Sequence, residues 1–463
     1  YALQFARDRK FSLVKVRDSK TEEIRMMPYN ALSPLFHHER GLSAGGEFIL
    51  WRETVPDPRW GYRTYSDIKL YDLVSGETFG LTDKGKFIAA AISADGLTAA
   101  GIEYTAVDGY SLSMFSTQGK NVLNRFELGG TGHVYDPAVE GSRVALCSQD
   151  KEGNSIIIMD TASGKREMLT GMTHLEHFRS PVFHENYLFY VSDYTGIDNI
   201  YAVNIDTKEK FQVTSVMHGA YFPFIDRKNN SILYNEYNLT GYKTASVKIV
   251  PENWTPFEKL IKPGDPYIDA IAGQELAPDG IVPDDLPEKE YKVNEYYTLL
   301  HGMTIPGWIP FFDFSNHDFS FNIYTRDVLH TVMAGASCTY NFNEKTGTAA
   351  GSITYSGLYP VLSLTGSYGR RTLWIEDEEN RYNGIEYITW HEKAAIVDMN
   401  LPLNFSRGIN STYFTMGAKS GLIDVTDVDP PVYRIYSDMK RNGLLKYAAY
   451  YLAMQHTITG AKN

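Results

Sequence analysis

Short apolar runs recur along the first half of the chain at a fixed spacing. Aligning Ile68, Leu112, Ile156 and Ile200 leaves 44 residues between neighbours, and each stands in a run of strand length bounded by polar turns. The clearest copy is Ser192–Tyr201 with its continuation to Thr214. A turn holding Asp193 and Gly196 separates the apolar runs Tyr187–Val191 and Ile200–Ile205, which predicts a hairpin. Upstream of each such hairpin lies a small-residue turn, at Ser43-Ala44-Gly45-Gly46, Ser93-Ala94-Asp95-Gly96, Glu140-Gly141 and Asn229-Asn230. Downstream, Leu81-Thr82, Leu169-Thr170 and Val213-Thr214 keep the same phase. A four-stranded unit of this size cannot bury its own faces and must stack on its neighbours, which is the logic of a propeller blade. Five repeats between residues 34 and 250, with a partial one before them, predict six blades over residues 1–250. Four proline pairs, Ser33-Pro34, Asp136-Pro137, Ser180-Pro181 and Phe222-Pro223, are expected to open the innermost strands, because proline is tolerated at a strand's first residue.

The texture then changes. Seven prolines between Pro251 and Pro287, among acidic residues and glycines, predict an extended linker over residues 251–290. Past it, residues 291–463 alternate with period two in segments of about ten, as in Val332, Ala334, Ala336, Cys338 and Tyr340 against Gly335, Ser337, Thr339 and Asn341. Strands of about 9–11 residues are what a tilted crossing of a bilayer requires. Tight connections at Asn343–Gly347 and Gly408–Asn410 contrast with long polar ones at Arg371–His391 and Asp424–Gly443, an asymmetry found in outer-membrane barrels. Placing both long loops outside requires a further strand near Leu299–Phe314. Six or seven strands are countable, and closed barrels begin at eight. An incomplete barrel, truncated near Asn463, is therefore expected, in a chain that also opens in mid-strand. A soluble antiparallel domain is the plainer alternative.

Composition narrows the functional classes. A net charge of -12 with no basic cluster argues against a nucleic-acid partner. No apolar run approaches the length of a membrane-spanning helix, which leaves strand insertion open. The 33 tyrosines and 23 phenylalanines suit pleated half-buried surfaces and interfacial belts. Cys147 and Cys338 fall in different halves and are expected as separate thiols.

The S-x-D-G-like turns, the S-D-x-x-G-x-x-N-I-Y run at Ser192–Tyr201 and the D-x-x-S-G-x-x-x-x-L-T run at Asp160–Thr170 resemble the repeats of TolB-like propellers. The copy around Leu112–Leu123 is degenerate. The stretch Ser352–Tyr368, with Gly307-Trp308-Ile309-Pro310-Phe311 and Asp327-Val328-Leu329, resembles surface-antigen-like barrels that follow such propellers in outer-membrane proteins of Bacteroidota. The resemblance implies an all-β chain: a six-bladed TolB-like propeller joined to an antiparallel outer-membrane-type barrel. It also implies a propeller that serves as a protein or peptide platform, or as a regulatory cap on a peptidase.

Candidate chemistry is sparse. Gly41-Leu42-Ser43-Ala44-Gly45 matches a nucleophile elbow in letters, but a strand-like run follows where a helix is needed. His391-Glu392 lacks the second histidine of a zinc-protease helix, and the pairs His37-His38 and His174 with His177 have no completing ligands. Asp193 reads either as a ligand for calcium or a partner at the propeller mouth, or as a turn aspartate that caps local amides. No catalytic, metal or cofactor residue is proposed. The leading expectation is an outer-membrane-anchored platform for a protein or peptide partner, serving envelope assembly or export, with the propeller in the periplasm and lipid around the barrel. The alternative is the accessory propeller and barrel of a peptidase whose catalytic domain lies upstream.

Overall fold

The computed structural model describes residues 2–5, 11–17, 20–27, 41–129, 132–264, 304–376, 385–429 and 442–458, with a few isolated positions between 264 and 304. Ser33-Pro34, His37-His38, Leu299 and most of the proline-rich stretch beyond Pro263 lie outside the described residues.

Strands β1 (Ala2–Phe5), β2 (Phe11–Arg17) and β3 (Lys20–Met26) form a three-stranded sheet. The blades follow in order. The first holds β4 (Ser43–Gly45), β5 (Phe48–Pro56), β6 (Thr64–Asp72) and β7 (Thr78–Gly80). The second holds β8 (Phe87–Ile92), β9 (Thr98–Thr105), β10 (Gly109–Ser116) and β11 (Asn121–Gly129). The third holds β12 (His133–Glu140), β13 (Arg143–Asp150), β14 (Gly153–Asp160) and β15 (Arg166–Met168). The fourth holds β16 (Arg179–His184), β17 (Tyr187–Ser192), β18 (Asn199–Asn204) and β19 (Lys210–Gln212). The fifth holds β20 (Ala220–Asp226), β21 (Ser231–Asn238) and β22 (Gly241–Lys248). Within each blade every strand pairs antiparallel with the next in sequence.

What stacks the blades is apolar surface on both faces of each middle strand. Leu50, Ile68 and Leu70 of the first blade pack with Ile92, Ala99 and Phe115 of the second. Ile102 and Leu112 meet Val144 and Leu146 of the third, and Cys147 and Ile156 meet Leu188 and Tyr201 of the fourth. Ile200 and Ala202 meet Ile225 and Ile232 of the fifth. Burial on two sides explains why these strands read as unbroken apolar runs. The expectation of six blades is corrected to five. The N-terminal sheet has three strands and packs on the first blade through Leu13 and Met27 against Ile49, Trp51 and Tyr71. Among the described residues no hydrophobic cluster joins it to the fifth blade.

Three blades share one fastening at the same phase of the repeat. The hydroxyls of Thr82, Thr170 and Thr214 accept the amide protons of Ile68, Ile156 and Ile200 at 2.9, 2.8 and 2.9 Å, fastening each blade's exit to its third strand. In the fourth blade Thr214 also donates to Asn199 at 2.9 Å. Replacing Thr214 with valine keeps the volume, strands the buried Ile200 amide and removes one of the two donors to the Asn199 carboxamide oxygen, which keeps the Val216 N–H at 2.9 Å. The expected cost is about 1–3 kcal/mol, read as a lower urea midpoint at unchanged slope.

The proline pairs are also placed differently from expectation. Pro137, Pro181 and Pro223 sit inside β12, β16 and β20 at bulges, where the ladder register shifts between Tyr135 and Ala138, Arg179 and Val182, and Tyr221 and Phe224. The preceding residues Asp136, Ser180 and Phe222 adopt φ of 45, 49 and 54°. A bulge leaves a residue without a ladder bond, so proline's missing N–H costs nothing there, and it re-aims the neighbouring side chains.

Beyond the propeller the linker begins docked. Strand β23 (Thr255–Pro256) adds to the outer edge of β19, and Phe257 stacks on Tyr194 with ring centroids 4.3 Å apart. The second half is one antiparallel sheet of eight strands in sequence order: β24 (Thr304–Asp313), β25 (Asp318–Arg326), β26 (Val332–Asn341), β27 (Thr346–Tyr355), β28 (Val361–Glu376), β29 (Ile385–Asn404), β30 (Asn410–Asp429) and β31 (Gly443–Ile458). This corrects the count of six or seven. The added strand β24 lies where the loop parity demanded one, and β24 and β31 are the two edges of the sheet. The expected loop Arg371–His391 is strand over Arg371–Glu376 and Ile385–His391, and of Asp424–Gly443 the stretch Asp424–Asp429 is strand. The β28–β29 ladder runs on through Arg371↔Trp390 to Glu376↔Ile385, so both hairpins extend past the length of their shorter neighbours.

Candidate functional site

Two places in the fold bring polar side chains together across long sequence distances. The first is one face of the propeller. In every blade the loop between the second and third strands lies on the same face as the start of the first strand, because successive strands alternate direction. On that face of the fourth blade stand His177, Arg179, Asp193 and Asp198.

Asp193 accepts the main-chain N–H of His177 at 3.0 Å through Oδ1, and its Oδ2 lies 2.8 Å from His177 Nδ1. Arg179 donates to Asp198 at 2.6 Å and lies 3.9 Å from Asp193, so its guanidinium stands between the two carboxylates. The Asp193 carboxylate therefore reaches across to the loop that precedes the blade, rather than capping amides of its own turn. Its lone pairs face His177 and Arg179, which is an ion-pair arrangement, and no group of metal-ligating side chains occurs among the described residues. Burial would raise the Asp193 carboxyl. The His177 amide and ring, with Arg179, outweigh burial and hold it below the ordinary carboxylate value. A lowered folded-state value stabilises above the unfolded value of about 3.9, and that contribution is lost as pH falls through the folded value. The urea midpoint of Asp193→Ala is thus expected to lie below wild type at neutral pH, with the gap closing as pH drops below about 4.

Across the same face, Asp136 accepts the N–H of Ser180 at 2.9 Å and ties the third blade to the fourth. The Tyr221 hydroxyl of the fifth blade is pushed up to about 12, by burial first and then by the charge and hydrogen bond of Asp198. Cys147 lies fully buried beneath this region, and burial raises its thiol well above the usual range, which marks a core residue and not a nucleophile.

The second place is the joint between propeller and sheet. Residues 57–63 between β5 and β6 are braced from within by Asp57, whose Oδ1 accepts the N–H groups of Arg59 and Trp60, both at 2.9 Å. From this brace Arg59 donates to the carbonyls of Leu358, at 2.9 Å, and of Tyr359 in the β27–β28 turn. Tyr62 meets His330 of the β25–β26 turn at 3.1 Å. In the β29–β30 turn, Asn404 N donates to the Pro58 carbonyl at 2.6 Å and Gly408 N to Glu53 at 3.1 Å. All three turns lie at one end of the sheet, and both long hairpin ends lie at the other.

The residues singled out by sequence divide accordingly. Ser43 lies in the innermost strand β4, not in a turn, and its hydroxyl accepts the Ile92 amide at 3.0 Å. Its neighbour Gly45 is required by packing, since a Cβ there would fall 1.8 Å from the Ser93 carbonyl oxygen. The elbow letters are therefore blade architecture. His391 pairs with the Tyr368 hydroxyl at 3.2 Å on the sheet, and His174 is exposed in the loop before the fourth blade. Arg179, Asp198, Tyr221 and the Arg59 loop were not legible as a site. The Ser180-Pro181 bulge beside Arg179 was the available signal.

No protein-family model and no curated protein matches the chain. Among solved structures, the chain is similar to a protein described as TolB from Agrobacterium tumefaciens, with 15% identity over 51% of this chain and 83% of that one, at a TM-score of 0.39. It is similar to TolB from Acinetobacter baumannii with 11% identity over 44% of this chain and 50% of that one, at 0.34. It is also similar to dipeptidyl peptidase 4 from Porphyromonas gingivalis with 8% identity over 70% and 50%, at 0.33. The likeness is one of fold. The blade topology alone carries the statement that the first half is a β-propeller.

Proposed function

We propose that this chain is an outer-membrane-anchored propeller that acts as a platform for a protein partner, its eight-stranded sheet forming wall of a transmembrane β-barrel. The observation that carries the reading is the division of the sheet into two faces. The ladder places Phe321, Cys338, Ala349 and Tyr368 side by side, and Ile353, Leu364 and Val397 in the next rows of the same face. Leu364 is 50% exposed, Val397 54% and Leu452 69%, far more apolar surface than a sheet facing water presents. The opposite face carries Asn322, Ser337, Ser367, Thr365 and Asp398. There the Tyr451 hydroxyl crosses over Gly417 to donate to Asp398 at 3.0 Å, and any Cβ at Gly417 would meet the Tyr451 ring. Apolar outside and polar inside is the pattern of a membrane barrel.

The two ends of the sheet support an orientation. Barrels keep short turns on the periplasmic side and long loops outside. The propeller is joined to the end with the short turns, so the reading puts it in the periplasm. Liposome flotation of the full chain tests the anchor. The chain is expected to float with vesicles and to aggregate when detergent is removed. A chain that stayed monomeric in plain buffer and never floated would sink the proposal in favour of a soluble antiparallel domain.

A further inference from the structure

The face of the propeller that meets the sheet carries more aromatic surface than blade packing requires. Tyr104 and Tyr110 of the second blade lie with ring centroids 4.7 Å apart. The Tyr110 hydroxyl reaches His133 Nδ1 at 2.7 Å, and His133 stacks on Tyr135 at 5.1 Å with 16° between planes. A second ladder crosses the fifth blade: Tyr221 meets Tyr242 at 5.9 Å, and Tyr242 meets Tyr237 at 5.0 Å. The ends of the ladders are open, Tyr104 at 44% exposure and both Tyr237 and Tyr242 at 45%. Between them, on the fourth blade and at the edge of the third, lie the carboxylates of Asp136, Asp193 and Asp198 with the single guanidinium of Arg179. These positions are strand starts, strand ends and second-to-third-strand loops, so they share the face of the Arg59 loop that is seated on the sheet's short turns.

From this juxtaposition we infer that the face is a docking surface for an extended, basic polypeptide segment. The inference rests on the binding-platform reading and names the partner's chemistry. Tyrosine offers rigid, amphipathic contact area at little entropic cost, and its ring face attracts lysine and arginine. Asp193 and Asp198 share the one guanidinium of Arg179, with Asp136 buried beside them, and this acidic excess steers a cationic chain inward and repels anionic lipid headgroups. Main-chain amides of an extended segment can donate to the hydroxyls of the exposed tyrosines Tyr104, Tyr237 and Tyr242.

The test uses the full chain in detergent micelles and fluorescence anisotropy of a short labelled peptide that alternates lysine with proline, against its glutamate counterpart. The lysine peptide is expected to bind at least about tenfold more tightly, with an affinity that falls as salt rises. Tyr104→Ala and Tyr237→Ala, both at exposed ladder ends and checked by an unchanged melting curve, are expected to weaken it several-fold each. Asp198→Asn is expected to weaken it and to flatten the salt dependence. Equal binding of the two peptides, or lysine-peptide binding indifferent to both tyrosine variants, overturns the inference. So does a surface that takes up only phosphatidylglycerol vesicles in a Tyr104- and Tyr237-dependent way, since the face would then be a lipid contact. Flotation reads the membrane anchor independently, so a chain that floats and binds neither peptide loses this inference alone.

Discussion

Lys210→Met is expected to destabilise the propeller by about 3–5 kcal/mol, measured by urea unfolding at neutral pH. Glu176 is 1% exposed in the loop between the third and fourth blades, which is a hostile place for a carboxylate without a partner. Its two oxygens are met by the Tyr190 hydroxyl at 3.2 Å and by Lys210 Nζ at 2.5 Å. The same ammonium lies 3.7 Å from the centroid of Phe257, the residue that docks the start of the linker on the fourth blade. Methionine preserves the apolar stem and removes the charge, leaving Glu176 buried and uncompensated while loosening the linker. The double variant Glu176→Leu with Lys210→Met is expected to recover most of the loss, because a buried ion pair often contributes no more than a well-packed apolar pair. A loss below about 1 kcal/mol in the single variant would show that solvent reaches Glu176 and that the pair is an ordinary surface bridge.

That pair was invisible in the sequence, and the contrast with what was visible has a physical basis. Local periodicity reports what the nearest strands do. The 44-residue ruler was legible because Thr82, Thr170 and Thr214 each fasten a residue 14 positions earlier, so the constraint recurs in phase in the first, third and fourth blades. The second half was legible because apolar and polar residues alternate along strands such as β26 and β28. The count missed β25 and reached β24 through loop parity alone. Gly307–Phe312 is apolar on both faces and contains Pro310, so it shows no period, and Arg326 to Thr331 hides a turn behind the apolar Val328 and Leu329. The charged flanks Arg370-Arg371 and His391-Glu392 read as loop. They are strand, because exposed ladder positions accept charge without penalty. The site itself depends on separations no pattern records. His177 and Asp193 are 16 residues apart, and Arg59 meets the Tyr359 carbonyl across 300. The six-blade expectation failed for a related reason: three strand-like runs before residue 34 resemble a blade locally, and only packing reveals that, among the described residues, their hydrophobic cluster is shared with the first blade.

Leu364→Arg and Thr365→Arg, neighbours on β28, are expected to behave oppositely, and their difference is the sharpest measure of the membrane reading. Leu364 stands in register with Ile353 and Val397 on the apolar face. Thr365 pairs with Ser352 on the polar face, beside the Ser363 hydroxyl that bonds Thr354 at 3.0 Å. If lipid covers the apolar face, arginine at Leu364 near mid-strand is expected to cost about 2–4 kcal/mol of stability in phospholipid vesicles, while arginine at Thr365 costs about 0–1 kcal/mol because it meets water or the polar wall. In a soluble sheet packed on another protein layer through the same face, Leu364→Arg would still be costly. The medium separates the two cases. Under the lipid reading the penalty grows as bilayer thickness is matched to the strands and shrinks in short-chain detergent, where water reaches the side chain. A penalty that is the same in detergent, in vesicles and in plain buffer would place protein over that face and return the second half of the chain to a soluble architecture.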